Sequence, residues 1–295
     1  LEASSAASDV YKRQFHFREG KESVCWAAPE YTSGTGCLAA TLKYANSWSI
    51  HLLHSYWIAP FLASGIALST KIEIVLNHID LEELSRFRYD IYVRSMQKKV
   101  VGADHEFGRI TDELDAISKN LVIKKNNCIL GALRLTYADK LTSLPERFAE
   151  YQEMFCFKPF LESSLGRICF TSRLMISPEL RGSTLLWRLF SKAFQTAMSD
   201  GVTFDFCAAP PHMAQLYSQL GYRRYKSNIL YESFGYDIPM VQVLRDEQHL
   251  EKCGSPFLKT LKESLSGKIC QEVTWFLENF TDCLLYTSPS PRDAS

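Results

Sequence analysis

Two arginines stand where charge is least expected. Arg134 lies in the run CILGALRL and Arg173 in ICFTSRLMI, both otherwise apolar. A guanidinium in such a strand is rarely buried without a partner. The nearest carboxylates are Asp112 and Asp115 in DHEFGRITDELD, spaced three apart so that both can face one way. Arg88, on the apolar face of an earlier helical stretch, is a third candidate member. Such a cluster either ties a loop to a sheet or organises a binding site, and the residues alone leave both open.

A second chemical signal is the turn MISPELRGSTLL, Met175 to Leu186. A tight turn that opens a helix presents unpaired backbone N–H groups and a positive dipole end. Arg181 adds a cation, and Gly182 lets the backbone approach a ligand closely. The turn reads as a cradle for a pyrophosphate or phosphopantetheine arm, or simply as a turn. The third signal is AAPPHMAQLYSQLGY, Ala208 to Tyr222. Tyr217 there is a core tyrosine or a general acid able to protonate a leaving thiolate. His212, near the start of the same stretch, is a base or a helix cap.

These residues need elements to hold them. KIEIVL alternates as a half-buried strand does. In the next stretch Asp80 is expected to cap a helix, with Glu83 closing a capping box. Leu81, Leu84, Phe87, Arg88 and Ile91 then share one face. NLVIKK and CILGALRLTY, joined at Asn126-Asn127, read as a hairpin. A helix from Pro145 to Glu153 leads to the long strand GRICFTSRLMI. After the turn come a helix, TLLWRLFSKAFQTAMSDG, and a buried strand, VTFDFCAA. A short helix ends at Gly221, and SNILYES and MVQVLRD read as strands. His249 to Asp282 reads as one or two amphipathic helices. The order predicts an α/β (α+β) layer with helices on a mixed sheet.

Composition narrows the function. The chain has 295 residues, is 46% hydrophobic, and balances 33 Lys+Arg with 33 Asp+Glu. That balance gives no argument for nucleic acid as partner. The nine cysteines form no CxxC pair, so a metal site is not expected, and scattered buried thiols in a reducing compartment are. No apolar run approaches the roughly 20 residues that span a bilayer. Ile50 to Leu68 comes nearest but carries two His and a Pro. The expected location is cytoplasmic.

Taken in order, the motifs from about Lys71 to Asp246 resemble the GNAT superfamily of acyltransferases. RFRYDIYV, DELD, GALRL and SRLMI together are similar to one branch of it, the acyl-homoserine-lactone synthases and N-acyl amino acid synthases. FDFCAAPPHMAQLYSQLGYRRY resembles the N-acyl amino acid synthase side. The matching positions are Arg88, Asp112, Asp115, Arg134, Ser172 and Arg173. There are departures. Thr184 and Leu186 stand where the superfamily's turn usually has Gly and Gly or Ala. Phe170 stands where the lactone synthases carry a Glu, and their downstream Trp in the first helix is missing.

The resemblance implies a GNAT-like mixed central sheet flanked by helices. It implies transfer of a fatty acyl group from acyl carrier protein or acyl-coenzyme A to the amine of an amino acid or similar small molecule. No permanently bound cofactor is implied, and acyl carrier protein is an expected partner. Backbone amides near Ser172 to Leu174 would hold the oxyanion, and Tyr217 would protonate the thiolate. Leu174, Ile176, Arg181, Gly182, Ser183 and Thr184 would meet the donor's arm. Arg88, Phe170 and His212 are the expected substrate contacts. Phe170, Leu174, Trp187 and Phe190 are expected either to line an acyl tunnel or to be core. Arg181, Arg188, Lys192, Arg223, Arg224 and Lys226 are the cations expected to face a carrier protein. An acetyl-coenzyme A-dependent N-acetyltransferase and a catalytically silent GNAT-like binding module are the competing readings.

The ends read differently. Asp9–Gln14 and Cys283–Thr287 can be encoded as the two strands of one inverted repeat, which resembles a sequencing-library adaptor. Residues 1–14 and 283–295 are therefore expected to be adaptor-derived tails. Residues 15–69 are expected to be an uncertain extension or translated upstream DNA. The acyltransferase domain is expected at 70–246, and 247–282 as a truncated helical segment.

Overall fold

The computed structural model describes residues 70–75, 77–231, 235–264 and 270–285. The expected N-terminal tail, the 15–69 segment and residues 286–295 lie outside the described residues. Strand β1 (Lys71–Ile74) leads to helix α1 (His78–Tyr89). The capping expectation at Asp80 is corrected here. Asn77 is the cap, in extended backbone, and its side-chain oxygen accepts from the Asp80 amide at 2.9 Å. Asp80 returns the contact by accepting from Asn77 Nδ2 at 2.8 Å. Glu83 instead accepts from Lys124. Asn is as good a cap as Asp, and it lies one turn nearer the strand. From Asp90 to Ser95 the helix widens into a π-turn.

Hairpin strands β2 (Ser118–Lys125) and β3 (Cys128–Tyr137) follow. Their turn residues Asn126 and Asn127 both have positive φ, 49° and 63°, as a type I′ hairpin turn requires. Helices α2 (Ala138–Leu141), α3 (Pro145–Phe155) and α4 (Lys158–Glu162) then cross to β4 (Arg167–Ile176). Next come α5 (Leu185–Ser199), β5 (Val202–Ala209) and α6 (Ala214–Leu220). Gly221 ends α6 at φ +109°, and a Cβ there would meet Leu250 Cδ2 at 2.4 Å. β6 (Arg223–Arg224), β7 (Ile229–Tyr231) and β8 (Gly235–Val243) complete the sheet.

The sheet order is β1-β2-β3-β4-β5-β8-β6, with β7 also on β8. All pairs are antiparallel except β4 with β5. Pro239 sits where the outer partner of β8 changes from β7 to β6, a place that needs no outward N–H. The result is the expected α/β layer, a mixed sheet with helices on its faces. One face packs on Leu189, Phe190, Phe194 and Leu220 of α5 and α6. The other carries two separate clusters. Leu84 and Ile91 pack on Val122 and Ala132. Tyr151, Phe155 and Phe160 pack on Phe170, Phe204 and Phe206. The seam between these clusters is where the buried Arg88 and Arg134 lie.

The C-terminal stretch forms α7 (Glu247–Lys252), α8 (Leu258–Ser264) and α9 (Gln271–Leu285) rather than one or two helices. The break after α7 comes at Gly254, φ +64°, where Ser255 N reaches back to Leu250 O. α9 belongs to the aromatic core, with Phe280 stacked on Phe160 at 4.7 Å and Phe276 fully buried. The expectation of buried thiols holds for Cys169 and Cys207, whereas Cys128 and Cys156 are exposed. The two exposed ones fall at a hairpin turn and a helix end, which composition alone does not locate. Among the described residues no group of three His, Cys, Asp and Glu could hold a metal ion. No helix among them is long and apolar enough to cross a membrane.

Candidate functional site

β4 and β5 run together from Arg167 and Val202 only as far as Phe170 and Phe206. Beyond that, β5 stays with β8 up to Ala209 while β4 stays with β3 up to Ile176. The two strands therefore part, and the β5-facing edge of β4 has no strand partner past Phe170. A bulge helps to turn β4 away. Ala132 pairs with Met175 and Arg134 with Ser172, so one residue of β3 opposes two of β4. Arg173 is one of the two, at φ +54°. A positive φ for a long side chain inside a strand is costly, and such strain gathers at functional sites. No glycine marks the place, so the residues alone do not reveal it.

The cluster forms as the spacing suggested. Asp112 and Asp115 flank the start of a short 3-10 turn, Glu113–Ile117, and Asp112 Oδ1 accepts from the Leu114 amide. Asp112 Oδ2 accepts from Arg134 Nη1 at 2.8 Å and from Arg173 Nη2 at 2.7 Å. Asp115 takes both ends of Arg88, whose Nη2 also reaches Asn120 Oδ1 at 3.2 Å. Arg134 Nε donates to Ser172 Oγ at 3.3 Å. Burial opposes ionisation of Asp112, but the two guanidiniums outweigh it and hold the carboxyl well below its usual range. The group is thus a fixed anion at any working pH.

The arginines differ in what they face. Arg88 is 1% exposed and lies behind the site, whereas Arg134, Ser172 and Arg173 line a cavity of about 380 Å³. That volume is within the usual range for a small-molecule site. Arg173 is the most open of the three arginines, and its guanidinium lies 5.8 Å from the Tyr92 ring centre. The π-turn carries Tyr92 to this position.

The cavity spans the parted strands. Its walls include Tyr151, Met154, Phe155 and Phe170 from one face of the sheet and Met213 and Tyr217 from the other. Tyr217 is 6% exposed, edge-on to Phe190 at 5.8 Å and to Tyr222 at 5.4 Å. Leu174, Ile176 and Arg181 also line it. Gly182, directly after Arg181, has φ +80° and open space where a Cβ would stand, so a ligand can approach its backbone. Ser183 Oγ accepts from the Leu185 amide. Leu185 and Leu186 point into the core, 2% and 5% exposed, and Ser183 is buried with them, which leaves exposed Gly182 and half-buried Arg181 and Thr184 as the outward side of the turn.

Several expected residues fall elsewhere. His212 is exposed on a 3-10 turn, and it, Arg88, Asp115, Gly182, Ser183 and Thr184 are outside the cavity wall. Trp187 and Phe190 belong to the core packing of α5 and do not line the cavity. Three of the cations expected to face a carrier are engaged internally. Arg188 holds Thr70, Arg223 is buried against Asp246 at 2.7 Å, and Lys226 caps α3 through Met154 O at 2.9 Å. Sequence reasoning missed Lys98 and Asp237, which line the cavity, and the rim pair Arg147–Glu150. Lys98 and Asp237 come from loop and strand-edge positions with no periodicity to flag them.

Among the described residues the mixed sheet thus opens at its one parallel pair of strands, with the arginine cluster beside the opening. Residues 83–244 match the family model described as "N-acyl amino acid synthase FeeM", and the chain belongs to that family. It is an N-acyltransferase. Similar solved structures include a CoA-dependent acyl-homoserine lactone synthase, BjaI, at 18% identity and a TM-score of 0.48, covering 63% of this chain and 90% of that one. FeeM from uncultured soil microbes is 8% identical with a TM-score of 0.45, covering 65% and 97%. A putative N-acetyltransferase from Lactobacillus plantarum is 14% identical with a TM-score of 0.43, covering 60% and 99%. None of the curated proteins matches the chain.

Proposed function

We propose that this N-acyltransferase moves a fatty acyl group from a thioester donor, acyl carrier protein or acyl-coenzyme A, to the amine of an amino acid or a similar small molecule. The observation that carries the reading is the cavity between β4 and β5, which has a polar end at Arg134 and Arg173 and an apolar end at Met154, Phe155 and Phe170. An acetyl group would not need the apolar end.

The donor's arm lies along β4 toward Arg181, with its phosphate at the turn of Gly182 to Thr184. Its thioester carbonyl sits on the unpaired edge of β4 past Phe170, where the backbone amides near Ser172 to Leu174 stabilise the oxyanion. The acyl chain runs between Tyr151, Met154 and Phe155. The amine attacks the carbonyl directly. Tyr217, on the far side of the gap, gives its proton to the leaving thiolate. Asp112 holds Arg134 and Arg173 in one orientation, so both present fixed donors to the acceptor.

The test is thiol release by the full chain, offered palmitoyl-acyl carrier protein, palmitoyl-coenzyme A and acetyl-coenzyme A separately. Each is mixed with the twenty amino acids, and products are read by mass spectrometry. The reading expects an N-palmitoyl amino acid from one of the first two donors. Product from acetyl-coenzyme A alone would make the chain an acetyltransferase, and no thiol release from any donor would make it a silent module.

A further inference from the structure

The acceptor amine presents a problem that the residues so far leave unsolved. An amino acid carries an ammonium near neutral pH, and an ammonium cannot attack a carbonyl. Something in the cavity must take its proton. The carboxylates lining the cavity among the described residues are Asp112, Glu150 and Asp237. Asp112 is locked between two guanidiniums. Glu150 is on the solvent-exposed rim, 2.6 Å from Arg147 Nη1. Asp237 is half-buried at the start of β8, beside the end of β5, where Ala209 pairs with Ile238. That is the mouth of the gap into which the thioester would be laid.

We propose that Asp237 receives the ammonium of the acceptor and removes its proton, while Lys98 holds the acceptor's carboxylate. This rests on the reading of the chain as an amino acid N-acyltransferase. Lys98 and Asp237 both line the cavity and interact through their charges, and Arg173 lies near enough to Lys98 to oppose its charge. A zwitterion placed between Lys98 and Asp237 meets the complementary charge at each end. Burial pushes the Asp237 carboxyl up to about 6, with Lys98 drawing it back. Burial also lowers Lys98, while Asp237 raises it and Arg173 lowers it further. Among the described residues the buried thiol of Cys207 on β5, itself pushed up by burial, also feels the Asp237 charge.

The step balances as follows. The Asp237 carboxylate takes one proton from the ammonium. The freed nitrogen forms a bond to the thioester carbon, the C–S bond breaks, and the thiolate takes the Tyr217 proton. The new amide nitrogen gives up its second proton to restore the phenol, and Asp237 passes its own to water.

The test uses the full chain with palmitoyl-coenzyme A or palmitoyl-acyl carrier protein, whichever supports turnover. Asp237→Asn should lower kcat/KM for the amino acid mixture by about 100-fold, as loss of a general base does. It should also remove the acid limb of the pH profile near 6. Hydroxylamine is largely unprotonated at neutral pH and needs no base, so its reaction with the donor should be nearly the same in wild type and variant. Read as the rate above that of donor and hydroxylamine without protein, that same reaction shows that the variant is folded. Lys98→Gln should raise KM for the amino acids and leave KM for the amino acid amides, which lack the carboxylate, unchanged. An Asp237→Asn variant with wild-type rate and acid limb would overturn the proposal, as would equal loss with hydroxylamine. Wild type that acylates no amino acid would overturn the functional reading itself, a result separate from either.

Discussion

Thr171, the first residue of β4 past the end of the β4–β5 ladder at Phe170, donates its hydroxyl at 2.6 Å to Asp205, which lies inside that ladder opposite Cys169. Asp205 therefore ties β4 to β5 just where they begin to part. Tyr222 donates to the same carboxyl oxygen at 2.5 Å, and Cys169 Sγ reaches the other at 3.3 Å. Because Tyr222 also packs on Tyr217, one buried carboxyl links the opening of the sheet to the proposed general acid.

That carboxyl makes stability depend on pH. Burial pushes Asp205 up to about 6, and hydrogen bonds from Thr171, Tyr222 and Cys169 draw it back. Between the usual carboxyl value of about 4 and about 6, the folded chain holds a proton that the unfolded chain has lost. The stability contributed is full below about 4 and is lost as pH rises through about 6. Asp205→Asn, with its amide turned to Cys169, should remove this fall. Urea unfolding between pH 4 and 7.5 measures it: the variant gains on wild type as pH rises. A parallel decline in both would contradict the assignment.

Arg88 and Arg173 should separate structure from function. Arg88→Ala leaves Asp115 without its bidentate partner and should cost about 3–5 kcal/mol, as breaking a buried pair does. Arg173 is 32% exposed at the side chain, and its loss leaves Asp112 still held by Arg134. Arg173→Ala should abolish turnover while the chain stays folded. Thermal unfolding beside thiol release distinguishes the two, and an unfolded Arg173→Ala would make the whole network structural.

Tyr217→Phe keeps the ring contacts with Phe190 and Tyr222 and removes only the phenol hydroxyl. A drop in kcat of about 100-fold with little change in KM is expected for a general acid. Steady-state kinetics with the donor varied would show it, and an unchanged kcat would leave Tyr217 as packing alone.

Met154 lies on α3 at the apolar end of the cavity, partly exposed within it. Met154→Trp should fill that end and move donor preference from palmitoyl to shorter chains. The palmitoyl rate should fall by about 10-fold or more, given that one methylene is worth about 1–3 kcal/mol in such a pocket. Equal loss for all chain lengths would place the acyl chain elsewhere.

The order of elements was legible because each has a strong local signal. Asn126-Asn127 fixed the hairpin, and the apolar run at VTFDFCAA reads as a buried strand that the structure places at Val202–Ala209. The charge cluster was legible from the contrast of Arg134 and Arg173 with their strands. The site's outer parts were not. Lys98 follows a π-turn, which has no sequence period, and Asp237, whose partner Ile229 in β7 is local, reaches the cavity only because β8 also pairs with β5 up to Ala209. The role of α9 was also hidden. Its Phe276 and Phe280 look like any amphipathic face until Phe160, more than a hundred residues earlier, is seen beneath them. The bulge at Arg173 becomes visible only in the pairing of β4 with β3.

The most direct measurement is kcat/KM for N-acyl amino acid formation as the donor's acyl chain is lengthened from acetyl to palmitoyl. A cavity with its apolar end at Met154, Phe155 and Phe170 predicts that the value rises with chain length. A value that is greatest for acetyl, or that does not change with length, would contradict it.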